Sequence, residues 1–130
     1  MFVKDRQVRS DMCKLRISAH DLMVEKGRYC YPKVEFDKRY CRFCPRQVEN
    51  EYHFVFECKL YNTERNIMFN DILKIFPNFT CLDKSEQFIK LLSCTDFELT
   101  TIFSKYVSLC FNLRKLARLY KLKYRLFTVS

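Results

Sequence analysis

The chain has 130 residues, 48% of them hydrophobic with 13 Phe and 8 Tyr, enough apolar material for one packed domain and an argument against disorder over most of its length. Its single glycine, Gly27, excludes the dinucleotide fingerprint and the P-loop, which each need at least two, and no two Asp are adjacent as a polymerase palm requires. Lys and Arg number 24 against 15 Asp and Glu, a net charge of +9 that favours an anionic partner. The charge is uneven: residues 1–46 carry 12 basic and 6 acidic side chains, residues 47–105 carry 6 and 9, and residues 106–130 carry 6 and none. Folding that joins the two ends would form one positive face; the plainer alternative is solubilising charge.

Ser10 is placed to cap a helix running to about Lys26, with Met12, Leu15, Ala19, Leu22 and Met23 on one face and Gly27 at a left-handed C-terminal position. Residues 28–50, which include Pro32 and Pro45, read as loop and short extended pieces. Thr63 caps a helix carrying Ile67, Met68, Ile72 and Ile75 and stopped by Pro77. Asp83 and Glu86 make a capping-box-like start for a short helix through Leu92. Asp96 opens the longest element, where Ile102, Tyr106, Cys110, Leu113, Ala117, Tyr120 and Tyr124 keep helical spacing. The expected fold is mainly α: one small helical domain over residues 1–130, with a central CCHC zinc knuckle and a long C-terminal helix. Residues 66–130 form its helical C-terminal part.

No run approaches the ~18 apolar residues of a membrane span, and the N-terminus lacks the apolar core of a signal peptide. An intracellular setting, the nucleus included, is expected; the protein is read as not secreted and without a membrane partner. In a reducing compartment, clustered cysteines bind metal or stay free more often than they form disulfides. Cys41-Arg42-Phe43-Cys44 is a C-x2-C knuckle, followed by His53 and then Cys58. Two thiolates on a tight turn with a His and a Cys at compact spacing are the ligand set of a tetrahedral zinc. Four protein ligands close the shell, so the reading is one structural Zn2+ held by Cys41, Cys44, His53 and Cys58. Cys13, Cys30, Cys81, Cys94 and Cys110 are expected as buried free thiols, with Cys30 a reserve ligand.

Catalytic patterns fail. A zinc deaminase needs H-x-E and P-C-x-x-C, but His20 precedes Asp21-Leu22, His53 precedes Phe54-Val55, and Pro45 follows the cysteine pair. H-E-x-x-H is absent, and among eight Cys a Cys/His nucleophile pair arises readily by chance. The chain is read as no enzyme, with no catalytic residues and no small-molecule substrate. His20 is read as structural.

Leu15-Arg16-Ile17-Ser18-Ala19-His20, then Glu25-Lys26-Gly27-Arg28-Tyr29, lead into the knuckle; Glu49 stands four residues before His53, and Tyr61 and Arg65 follow Cys58. This order resembles the zinc-binding region C-terminal to the reverse transcriptase domain of LINE-type (non-LTR) retrotransposon polyproteins. The resemblance covers 57 residues, Arg9 to Arg65. It implies a nucleic-acid-binding accessory region, a fragment or derivative of such a polyprotein, with metal ligands at Cys41, Cys44, His53 and Cys58. It also implies no polymerase activity, since the polymerase and endonuclease motifs are missing, and it is silent on residues 66–130.

RNA or single-stranded DNA is the expected partner. Lys38, Arg39, Arg42 and Arg46 interleave with Tyr40 and Phe43, cations for phosphates and rings for unpaired bases; Phe43 equally suits a cover over the metal. Arg114, Arg118, Lys121 and Arg125, spaced 4, 3 and 4, make a basic stripe on the last helix that either tracks phosphates or faces solvent. The alternative function is a zinc-supported protein-interaction scaffold whose last helix docks on a reverse transcriptase lobe or another protein.

Overall fold

Asp5, rather than Ser10, starts the first helix: its carboxylate accepts the Val8 N–H at 3.0 Å, and α1 runs Arg6–Arg16. The computed structural model describes residues 5–20, 22–29, 32–44, 46–93 and 95–127, the side chains of residues 120–127 excepted. The helix expected to continue to Lys26 ends ten residues early, because Ser18 takes a left-handed φ of 58°. Ala19 N–H donates to the Lys14 carbonyl at 2.9 Å and Ser18 N–H to that of Leu15 at 3.4 Å, the crossed pair of a Schellman ending. Its strain is held by Glu51, whose Oε1 accepts from Ser18 Oγ at 3.0 Å and lies 2.8 Å from His20 Nε2. His20 is thus structural, as expected.

The rest of that expected helix is α2, Met23–Lys26. Gly27 is not left-handed; its φ is −63°. Close approach explains the glycine instead, since a Cβ there would meet Arg39 Cγ at 2.6 Å.

A 3-10 turn over Lys59–Tyr61 feeds directly into α3, Asn62–Ile75, so helical winding has begun before Thr63 and no side chain caps it. Pro77 keeps Phe76 out of the helix, as expected. Asp83 Oδ1 accepts the Glu86 N–H at 2.8 Å at the head of α4, Lys84–Ser93. Asp96 does the same for Leu99 at 2.9 Å and opens α5, Phe97–Phe127, 31 residues long. The fold is mainly helical, and the only β-pairing among the described residues is the bridge between Tyr40 and Val48.

α5 is the spine, with α1, α3 and α4 packed on it. Met12 and Leu15 of α1, Met68 and Ile72 of α3 and Leu91 of α4 are buried in one core with Leu99, Phe103, Val107 and Cys110 of α5. Each such side chain contributes about 1.5–3 kcal/mol by leaving water. Ala19, Ile67 and Ile75, placed on core faces by periodicity, are exposed instead. One polar contact locks α1 to α5: Ser108 Oγ donates to Asp11 Oδ2 at 2.8 Å, with Asp11 only 5% exposed. No helix among the described residues is long and apolar enough to cross a membrane.

Candidate metal centre

The cysteine turn is built on a narrow ribbon. Tyr40 and Val48 bridge antiparallel, and the Cys41 N–H donates to the Gln47 carbonyl at 2.7 Å. Returning the chain in so few residues requires Arg46 at a left-handed φ of 61°. Cys41 and Cys44 lie between these strand-like ends, and both are buried.

The second ligand pair comes from a π turn, His53–Glu57, closed by a bond from the Cys58 N–H to the His53 carbonyl at 2.8 Å. In an α-helix, side chains five residues apart point about 140° from one another. The wider π winding brings the chain round to the same side after five residues, and His53 and Cys58 converge. Neighbouring helices satisfy the carbonyls that this winding exposes. Arg65 of α3 donates through Nε to Val55 at 2.8 Å and through Nη2 to Cys58 at 2.9 Å. The Tyr106 hydroxyl of α5 donates to the Phe54 carbonyl at 3.0 Å.

The ligand atoms of Cys41, Cys44, His53 and Cys58 all lie within 4.8 Å of one another, and all four residues are buried. Cys58 Sγ is 3.8 Å from Cys41 Sγ and 3.9 Å from Cys44 Sγ. Two sulfurs on a tetrahedral ion with bonds of about 2.3 Å stand about 3.8 Å apart, so the spacing already fits a metal. Neither ring nitrogen of His53 has a hydrogen-bond partner, although its side chain is 2% exposed. A buried imidazole left so is costly unless an ion takes one nitrogen. Its Nδ1 lies 4.0 Å from Glu57 Oε1, an acidic neighbour that favours a cation nearby. Backbone N–H groups point at the sulfurs, Phe43 to Cys41 and Lys59 to Cys44, each at 3.4 Å. The hydrogen bond from the Cys58 thiol, with smaller help from His53 and the Phe43 N–H, holds Cys41 well below the usual thiol range against its burial. The same contact together with burial pushes Cys58 up. A thiolate enclosed by two further sulfurs and an imidazole is a cation site, and these four residues can hold a metal ion.

Glu49 ties this cluster to the helical spine. Its Oε1 accepts the Met23 N–H at 2.7 Å, its carbonyl accepts that of Val24 at 2.9 Å, and its Oε2 lies 3.5 Å from Cys41 Sγ. The same Oε2 receives Arg114 Nη1 from α5, and both side chains are 1% exposed. Burial pushes the Glu49 carboxyl up, and the Arg114 guanidinium pulls it back towards the charged form.

Two residues expected at a nucleic-acid surface are therefore structural. Arg114 is buried against Glu49; it continues the four-residue steps of Tyr106 and Cys110, so it falls on the buried seam of α5. Arg39 is 5% exposed and donates to the carbonyls of Val24 at 2.7 Å and Val34 at 3.0 Å. Phe43 is half-buried against the core, which favours the covering role. Lys38, Arg42 and Arg46 are exposed around the knuckle, and Arg118 is half-exposed on α5. The side chains of Lys121 and Arg125 lie outside the described residues. Lys59, exposed beside Cys44, is a cation at the knuckle that spacing does not single out. Of the remaining thiols, Cys110 is buried as expected, Cys13 and Cys81 are exposed against expectation, and Cys30 and Cys94 lie outside the described residues. Both exposed thiols fall off the packed face of the local chain, where the core has no use for them.

No family model, curated protein or solved structure matches the chain.

Proposed function

We propose that the chain is a zinc-stabilised module that binds RNA or single-stranded DNA and has no catalytic activity of its own. The observation that carries this reading is the buried sulfur–imidazole cluster, its ligand atoms all within 4.8 Å of one another, with Lys38, Arg42, Arg46 and Lys59 exposed on the segments that supply it. Three thiolates and one imidazole suit Zn2+ and fill its four positions, which leaves none for a reacting water. Zinc then serves to fix the ribbon and the π turn, and with them the cations above. Tyr40, 42% exposed on the ribbon, offers a ring to an unpaired base among those charges. The order of these elements supports kinship with the zinc-binding region that follows the reverse transcriptase domain in LINE-type retrotransposons.

The test is binding of a labelled single-stranded oligonucleotide across a salt series. Replacing Lys38 and Arg42 by Ala lowers affinity for every sequence and flattens the log–log salt slope by ~0.7 for each phosphate that is no longer neutralised. A variant with unchanged slope and affinity would refute the assignment of these cations.

A further inference from the structure

The outer face of α5 carries an apolar stripe that the fold leaves uncovered. Leu109, Leu116 and Leu119 are 49%, 62% and 60% exposed. Ile102, Leu109 and Leu116 follow at seven-residue intervals and so fall along one line of the helix. Beside the first two, α3 presents Ile67, 58% exposed, and together they line a groove of about 270 Å³ with Glu64, Asp71 and Lys105. An apolar line this long on a soluble surface marks an interface.

We propose that stripe and groove are two halves of one self-complementary surface, through which two copies of the chain pair by antiparallel α5 helices about a two-fold axis at Leu109. This goes beyond the nucleic-acid reading and does not depend on it. The heptad Ile102–Leu109–Leu116 is symmetric about its middle residue. An antiparallel copy therefore sets Leu109 against itself and each Leu116 over the other copy's Ile102 and Ile67. Such an isologous contact closes on itself.

Charge selects the second copy and its direction. Residues 106–130 carry six basic side chains and no acidic one. Parallel pairing would place two such ends side by side and Lys105 against Lys105. Antiparallel pairing brings Lys115, which flanks the stripe, to the groove end of the other copy, where Glu64, Asp71, Asp96 and Glu98 outnumber Lys74, which is 3.7 Å from Asp71, and Lys105. In that register Lys105 comes opposite Leu113 rather than a second Lys105, which removes the like-charge contact of the parallel alignment.

Sedimentation equilibrium of the full metal-loaded chain tests this. The expected species is twice 15.9 kDa. Leu116→Glu makes it a monomer, while helical circular dichroism and metal content stay unchanged because Leu116 is exposed in the single chain. Glu64→Lys with Asp71→Lys weakens self-association at least tenfold. In a background with Cys13 and Cys81 replaced by Ser, chains carrying Ile102→Cys cross-link to chains carrying Leu116→Cys, and neither links to its own kind. A wild-type monomer throughout the micromolar range, a dimer that survives Leu116→Glu, or cross-linking of Leu116→Cys chains to one another each overturns the proposal.

Discussion

Replacing Arg114 by Met separates an interior role for this guanidinium from a surface one. Met keeps the stem that packs along α5 but removes the charge. Glu49, 1% exposed, is then left as a carboxylate with no counter-ion, 3.5 Å from Cys41 Sγ. Removing one partner of a buried pair costs about 3–5 kcal/mol, mostly for the orphaned charge. A domain of this size is stable by about 5–15 kcal/mol, so the variant loses a large share of its stability. The melting temperature should fall by roughly 10–20 °C. Adding Glu49→Gln removes the orphan, so the double variant should be more stable than the sum of the two single losses. Thermal unfolding by circular dichroism, with metal content measured in parallel, provides the assay. A solvated cation tracking phosphate would shift stability by no more than about 0.5 kcal/mol. A melting temperature within a few degrees of the wild type for Arg114→Met would therefore refute the buried-pair account.

Gly27→Ala drives a methyl into Arg39 Cγ, 2.6 Å from the ideal Cβ, and displaces a side chain bonded to Val24 and Val34; denaturant titration should show a loss of about 1–3 kcal/mol. Ser108→Ala leaves Asp11 without its α5 donor and should cost about 1–3 kcal/mol in the same assay, with no change in metal content. Arg46→Gly relieves the left-handed φ of 61° and should raise stability by up to about 1 kcal/mol, whereas a clear loss would mean that the turn does not need that conformation.

The residues that can be read from sequence are those whose chemistry is local. The knuckle ligands announce themselves by spacing, and Asp83 and Asp96 cap helices from their own first turns. The break after Arg16 is hidden because it rests on Glu51, thirty-three residues from the Ser18 it holds. The same distance effect conceals Arg114. Its partner Glu49 lies 65 residues away, and a basic residue on an apolar seam looks like part of a surface stripe until that partner is known. A signal is nevertheless present, since Glu49 beside a thiolate cluster needs a cation and Arg114 sits one helical turn beyond Cys110. The π turn is not legible: counting from His53 to Cys58 specifies a gap, whereas convergence of the two side chains depends on Arg65 and Tyr106 receiving the unwound carbonyls.

Cys41, Cys44, His53 and Cys58 can hold one ion, and under the proposed function its binding organises the ribbon and the π turn. Native mass spectrometry with elemental analysis, on the wild type and on Cys44→Ser, tests it most directly. The expected result is one zinc per wild-type chain, lost on denaturation, and a Cys44→Ser chain without stoichiometric metal and with a disordered centre. A wild-type chain that folds fully with no metal, or full occupancy in Cys44→Ser, would contradict it.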